Sequence, residues 1–173
     1  EQAHIYDAKV IAISDSKAKL KLAKKLGADT VMLKNALLKQ NTLSANLIIT
    51  TSNSWKDWLL ALRIAKPGGT ISVLGFPGRT EGVLAFNPLE PRYFYGKQLT
   101  IVASGLIKKT GNNPKIIRRI IEKNCRQIIK LMATKKLHPN KLISGVYNYK
   151  DIEKAYAKLM AKNQKSVTYL LKW

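Results

Sequence analysis

The sequence predicts an α/β fold built on a mainly parallel sheet. Two observations carry that prediction. Short apolar runs rich in branched residues, such as VIAI at 10–13 and LIITT at 47–51, alternate with stretches whose apolar residues recur at helical spacing. Small polar clusters stand before the helical stretches and glycines stand after them, where the chain must change direction. Strands that alternate with helices in this way pack as a parallel sheet with the helices laid on its faces.

Each element follows in order. The run at 10–13 is wholly apolar, as a strand buried on both faces requires. Ser14, Asp15 and Ser16 cap a helix from Lys17, whose apolar positions are Leu20, Leu22, Ala23 and Leu26. Gly27 stands where a left-handed helix stop belongs. Residues 29–33 form a second strand, and 35–46 read as a weak helix or a loop. A third strand at 47–51 leads through Ser52, Asn53 and Ser54 into the helix WKDWLLALRIAK, with Trp55, Leu59, Leu62 and Ile64 among its apolar positions. Lys66, Pro67, Gly68 and Gly69 read as a sharp turn, and a fourth strand at 70–74 ends at Gly75. Residues 77–96 make a long connection, punctuated by Pro77, Pro88 and Pro91 and closed by the aromatic run Tyr93, Phe94 and Tyr95. Connections this long are often functional or interface-forming. A fifth strand covers 99–103, helices cover 114–135 and 151–162, and a last strand covers 166–171. No repeat or low-complexity linker interrupts the chain, which reads as one compact unit.

The bulk composition narrows the function classes. A chain of 173 residues with 46% hydrophobic residues can bury a core of its own. No apolar run approaches the roughly 20 residues of a membrane helix. The start, Glu1-Gln2-Ala3-His4, lacks the basic and apolar regions of a secretion signal, so a cytoplasmic location is expected. Cys125 has no second cysteine to pair with, and in a helical pattern its thiol is expected to be buried or half-buried. With His4 and His138 it makes no metal-ligand cluster. The formal charge of +21 comes mostly from dispersed lysines, without an arginine-rich arm or a known nucleic-acid-binding motif. Nucleic-acid binding therefore stays as a minor alternative, and the charge also favours anionic ligands.

Four segments in order resemble one family. KVIAISDSKAKLKLAKKLGADTV resembles the second strand and helix of the cofactor domain in medium-chain dehydrogenases, the zinc-type alcohol dehydrogenase superfamily. NLIITTSNSWKDWLLALRIAKPGGTISVLGFPG resembles the helix, K-P-G-G turn and strand further along that domain. FNPLEPRYFYGKQLTIVASG resembles the approach to its sixth strand, and IIKLMATKKLHPNKLISGVYNYKDIEKAYAKLM resembles the C-terminal helices. The resemblance implies a Rossmann-like, doubly wound sheet that lacks its first strand and its glycine-rich loop. The N-terminal catalytic barrel, with any zinc it holds, is likewise expected to lie outside residues 1–173. In the strand order 3-2-1-4-5-6 the first strand is central, so the strands at 10–13 and 47–51 are expected to expose unpaired edges.

The resemblance also implies a cofactor edge. Ser14 takes the place of the family's usual acid, with Asp15 one position later, and Ser14, Ser16 and Lys19 would contact the extra phosphate of NADP. NADP is favoured over NAD, and Asp15 keeps NAD open. Thr51 and Ser52 would line the adenosine side, Gly75 and Phe76 the nicotinamide, and Val102 and Ser104 its carboxamide. Equally, Ser14 to Ser16 serve as an ordinary helix cap, Lys19 as a solvated side chain, and the rest as ordinary strand ends. No catalytic residue and no metal ligand is nominated: His138 reads as a surface residue. The expected function is the C-terminal part of an NAD(P)-dependent alcohol or polyol dehydrogenase, similar to sorbitol- or threonine-dehydrogenase-like members, inactive as this chain alone. The alternatives are a non-catalytic dimerisation or binding module and a basic nucleic-acid binder. Implied partners are the nicotinamide dinucleotide, a small alcohol or carbonyl substrate and a second copy of the chain.

Overall fold

The computed structural model describes residues 1–39, 43–79, 81–104, 113–161 and 166–173, with the side chains of 38 and 39 excepted. In chain order the elements are β1 (Ile11–Ser14), α1 (Lys17–Lys25), β2 (Thr30–Leu33), α2 (Lys34–Lys39), β3 (Ala45–Thr50) and α3 (Trp55–Ile64). They continue with β4 (Ala65–Val73), β5 (Thr100–Ala103), α4 (Pro114–Ala133), β6 (Ile143–Asn148), α5 (Ile152–Met160) and β7 (Thr168–Lys172). The chain divides into two compact units rather than the single one expected, Glu1–Ala36 with Arg118–Trp173, and Leu37–Ile117. Every strand pair among the described residues is parallel.

In the first unit β1 pairs with β2 from Ile11 opposite Thr30 to Ser14 opposite Leu33. Ser16 starts α1 by accepting the Lys19 N–H on Oγ at 3.3 Å. Gly27 ends the turn after it at φ +99°, which a side chain would resist. Leu20 is the buried residue of α1. Asp29 ties the start of β1 to the start of β2 by accepting the Val10 N–H at 2.6 Å. That bond holds its carboxyl below the ordinary aspartate value, against a weaker opposing effect of desolvation. β6 and β7 form a second pair, with Tyr147 and Tyr169 edge-to-face at 5.4 Å. β6 was not expected as a strand, although its residues alternate between half-buried and exposed. The expected end of the α5 helix at Lys162 lies outside the described residues.

In the second unit β3, β4 and β5 form a three-stranded sheet in that order. Ile48, Ile71 and Ile101 lie in register across it, and α3 packs on their face. Trp58, Ala61, Leu62, Ala65, Ile71 and Leu99 form the core, with Leu62 and Ile71 fully buried. Trp55 and Leu59 are only half-buried, so the buried face of α3 is centred on Trp58 and Leu62. Tyr93 and Phe94 of the long connection pack on this core, whereas Tyr95 is exposed. Lys97 closes α3 from below: its ammonium donates to the carbonyls of Leu62, Arg63 and Ala65 at 2.8–2.9 Å. Burial lowers the pKa of that ammonium.

Two expectations need correction. Residues 66–69 are not a free-standing turn between helix and strand, because β4 starts directly at Ala65. Ala65 pairs with Ala45 and Thr70 with Leu47, so the intervening Pro67, Gly68 and Gly69 are thrown out as a bulge inside the strand, with Gly68 at φ +71°. The Cys125 thiol is exposed rather than buried or half-buried, on a helix with no fully buried residue. No helix of the described residues is long and apolar enough to cross a membrane.

Among the described residues β1 pairs only with β2, and β3 only with β4. Leu47 and Ile49, on the face of β3 turned away from α3, are exposed at 59% and 58%.

Candidate functional site

The ten candidate residues fall into two groups. Ser14, Asp15, Ser16 and Lys19 lie where β1 passes into α1, in the first unit. The Ser14 hydroxyl accepts the Ser16 N–H at 3.2 Å, which tightens the turn. Ser16 is buried and its hydroxyl is committed to the cap of α1, as the helix-cap reading requires. The Lys19 side chain is exposed beside them.

Asp15 is not a free acid. Its carboxylate meets the Lys34 ammonium at 2.8 Å. The register explains the meeting: Ser14 lies opposite Leu33, so Asp15 and Lys34 follow as the next residues on two adjacent parallel strand ends. Sequence reasoning missed Lys34, because its neighbour lies 19 positions away and only the strand register brings the two together.

The second group forms a continuous edge at the carboxyl ends of β3, β4 and β5. Thr51 and Ser52 follow β3, and the Ser52 hydroxyl accepts the Ser54 N–H at 3.0 Å. Gly75 donates its N–H to the Thr50 carbonyl at 3.1 Å. A Cβ at Gly75 would collide with the backbone carbonyl of Ser52, so this chain's own close approach already demands glycine there. Phe76 donates its N–H to Asn53 Oδ1 at 2.9 Å, and its ring is 65% exposed with the Arg79 guanidinium 5.6 Å from the ring centre. Val102 lies opposite Ser72. Ser104 donates its N–H to the Val73 carbonyl at 2.9 Å, and its hydroxyl shares a hydrogen bond with that of Ser72.

Asn53 and Ser72 were also missed. Asn53 holds the loop after β4 twice, through its side chain to Phe76 and through its carbonyl to the Gly78 N–H at 2.7 Å. In the sequence it reads only as the middle of a Ser-Asn-Ser cap. His138 is engaged by Glu1, whose carboxylate accepts its backbone N–H at 2.9 Å and lies 3.2 Å from its Nδ1.

Residues 1–122 match the family described as zinc-binding dehydrogenase. The chain belongs to that family. Solved structures of similar fold include a short chain alcohol dehydrogenase from E. coli CFT073 complexed with NADH, at 20% identity and a TM-score of 0.68, covering 98% of this chain and 46% of that one. L-idonate 5-dehydrogenase from E. coli K-12 MG1655 aligns at 16% identity and a TM-score of 0.70, covering 96% of this chain and 43% of that one. A Sinorhizobium meliloti 1021 protein described as a zinc-binding dehydrogenase, bound to NADP, aligns at 20% identity and a TM-score of 0.67, covering 95% and 45%. The chain thus spans less than half the length of these proteins. No curated protein sequence matches it significantly. The fold is the Rossmann-like α/β arrangement of the family's cofactor domain.

The family name points to zinc. Among the described residues no three His, Cys, Asp or Glu side chains come together to hold a metal ion. The described residues therefore offer no donor set that fits zinc.

Proposed function

We propose that this chain forms the dinucleotide-binding part of an NAD(P)-dependent dehydrogenase that interconverts an alcohol or polyol and its carbonyl compound. The observation that carries the reading is positional. Within each unit the candidate residues sit at or next to the carboxyl ends of parallel strands, β1 in the first and β3, β4 and β5 in the second, the end at which open α/β sheets take their ligands. The cofactor, when bound, supplies the hydride exchange; the protein binds and orients it. The nicotinamide would lie against the Gly75 backbone and the exposed Phe76 ring. The chain alone is inactive in this reading, since no residue among those described is nominated to polarise the substrate.

The ion pair of Asp15 with Lys34 supports NADP over NAD. The lysine neutralises the carboxylate that would otherwise accept ribose hydroxyls and repel a phosphate. Ser14 and Lys19 then offer a hydroxyl and an ammonium group to the phosphate, with Lys34 balancing Asp15 and Ser16 holding the cap beside them.

A thermal melt of the chain with and without NADPH and NADH tests both statements. A cooperative transition raised by NADPH more than by NADH is expected. A cooperative transition that neither nucleotide moves would overturn the binding role. A larger rise with NADH would overturn the cofactor preference alone.

A second reading, an assembly module, is favoured by one observation. β5 pairs only with β4 among the described residues, and the exposed Tyr95 precedes it. Its second edge could pair with that of another copy. A monomer by light scattering at high concentration would exclude this.

A further inference from the structure

The sequence shows lysines scattered along the chain, but the first unit gathers five of them around one cleft of about 720 Å³. Lys19, Lys21 and Lys25 come from α1, Lys141 from the approach to β6, and Lys158 from α5. They come from three separated segments, so no run of sequence announces the cluster. Fourteen residues line the cleft, and none is acidic. Ser144, Ser166 and Tyr169 supply three hydroxyls, and the remaining walls are small or aliphatic.

The charges are unevenly compensated. Lys141 is balanced by the Glu1 carboxylate at 3.3 Å. Lys19, Lys21, Lys25 and Lys158 have no acidic partner among the described residues. Lys158 is nonetheless placed, with its ammonium 5.3 Å from the centre of the Tyr147 ring. Lys21 and Lys25 stand one turn apart on α1, a spacing at which like charges repel. A bound polyanion would turn that repulsion into attraction.

We propose that this cleft binds a small polyphosphate, an anion with two or more phosphoryl groups. Lysines act as point charges toward phosphate, and the absence of arginine from the walls argues against planar, bidentate recognition of a carboxylate. The volume lies within the roughly 300–1,000 Å³ of small-molecule sites. The site goes beyond the cofactor edge and shares only Lys19 with it. Lys25 lies six residues further along α1, about 9 Å away along the helix axis.

The test is calorimetric titration of the full chain with sodium tripolyphosphate at fixed ionic strength. One tripolyphosphate per chain is expected to bind saturably. The triple variant Lys21→Gln, Lys25→Gln, Lys158→Gln should weaken binding at least tenfold. A control that removes equal charge from exposed positions, Lys56→Gln, Lys123→Gln, Lys130→Gln, should stay within about threefold. Equal losses in both variants, or binding without a defined stoichiometry, would mean diffuse attraction and overturn the site. So would a single-stranded DNA oligonucleotide that binds more tightly through the same three lysines. Repeating the titration with saturating NADP separates this site from the cofactor edge: unchanged binding supports the proposal, and one-for-one displacement overturns it. Failure of the nucleotide melts would leave the tripolyphosphate result standing.

Discussion

Both units lay parallel strands beside a helix, yet they bury their side chains differently. In the second unit three strands present Ile48, Ile71 and Ile101 to α3, and six residues close into one core. In the first unit the strands come only in pairs, and the buried apolar residues Leu20, Ala28 and Ala155 belong to different parts of the chain. Two strands offer a helix too narrow a surface to cover it, which is why isolated two-stranded sheets are marginal and three strands suffice. The first unit relies instead on local devices: the Ser16 cap, the Gly27 stop and the Asp29 clasp.

The contrast can be broken most directly at Leu62, which α3 buries fully against the sheet. Leu62→Ala should cost about 2–5 kcal/mol, read by denaturant unfolding and by loss of amide protection at Ile71 and Ser72. A loss under about 1 kcal/mol would mean that the cluster is not what holds the second unit together. Next comes Gly75→Ala. Its new methyl must displace the Ser52 carbonyl, and about 1–3 kcal/mol of destabilisation is expected in the same assay. If the variant is as stable as the parent, the strand ends of β3 and β4 yield freely.

In the first unit the effects should be smaller and local. Ser16→Ala removes the cap of α1 and should cost about 1 kcal/mol, visible as faster hydrogen exchange at the Lys19 amide. Ser16→Asp, which can still accept that N–H, should restore protection. The smallest effect belongs to Asp29. The Val10 N–H lowers its pKa from an ordinary value near 3.8, so its contribution is complete above that value. It fades as the pH falls through the lowered value, because the folded state then takes up the proton last. Asp29→Asn should flatten this part of the stability-against-pH curve. An unchanged slope on the acid side would show that the clasp contributes nothing.

What the sequence made legible was local. The apolar runs located β1, β2, β3 and β5 within a residue or two, because branched residues between caps and glycines leave few options. The caps at Ser16 and Ser54 and the stop at Gly27 followed for the same reason. The misses depend on partners distant in sequence. The alternation in ISGVYN becomes a strand only because β7 pairs with it. The bulge at Pro67 to Gly69 exists only relative to the register of β3. Lys34 meets Asp15 only because β1 and β2 run side by side, and the lysine cleft depends on three segments meeting. The six candidate residues in the second unit came from the resemblance: five of them follow the ends of β3, β4 or β5, and Val102 lies within β5. The Asn53 and Ser72 contacts that fix those ends involve side chains whose partners no spacing reveals.

The open edge of β3 has a consequence for the protein as a solute. Its outer backbone, unpaired among the described residues, and the exposed Leu47 and Ile49 make a surface on which a second copy can stack strand against strand. A formal charge of +21 keeps such copies apart while their fields overlap. Added salt shrinks the range of that repulsion, to about 3 Å at 1 M, and leaves strand pairing intact. The protein should therefore be dispersed in dilute buffer and self-associate as salt rises, the reverse of a protein held together by ion pairs.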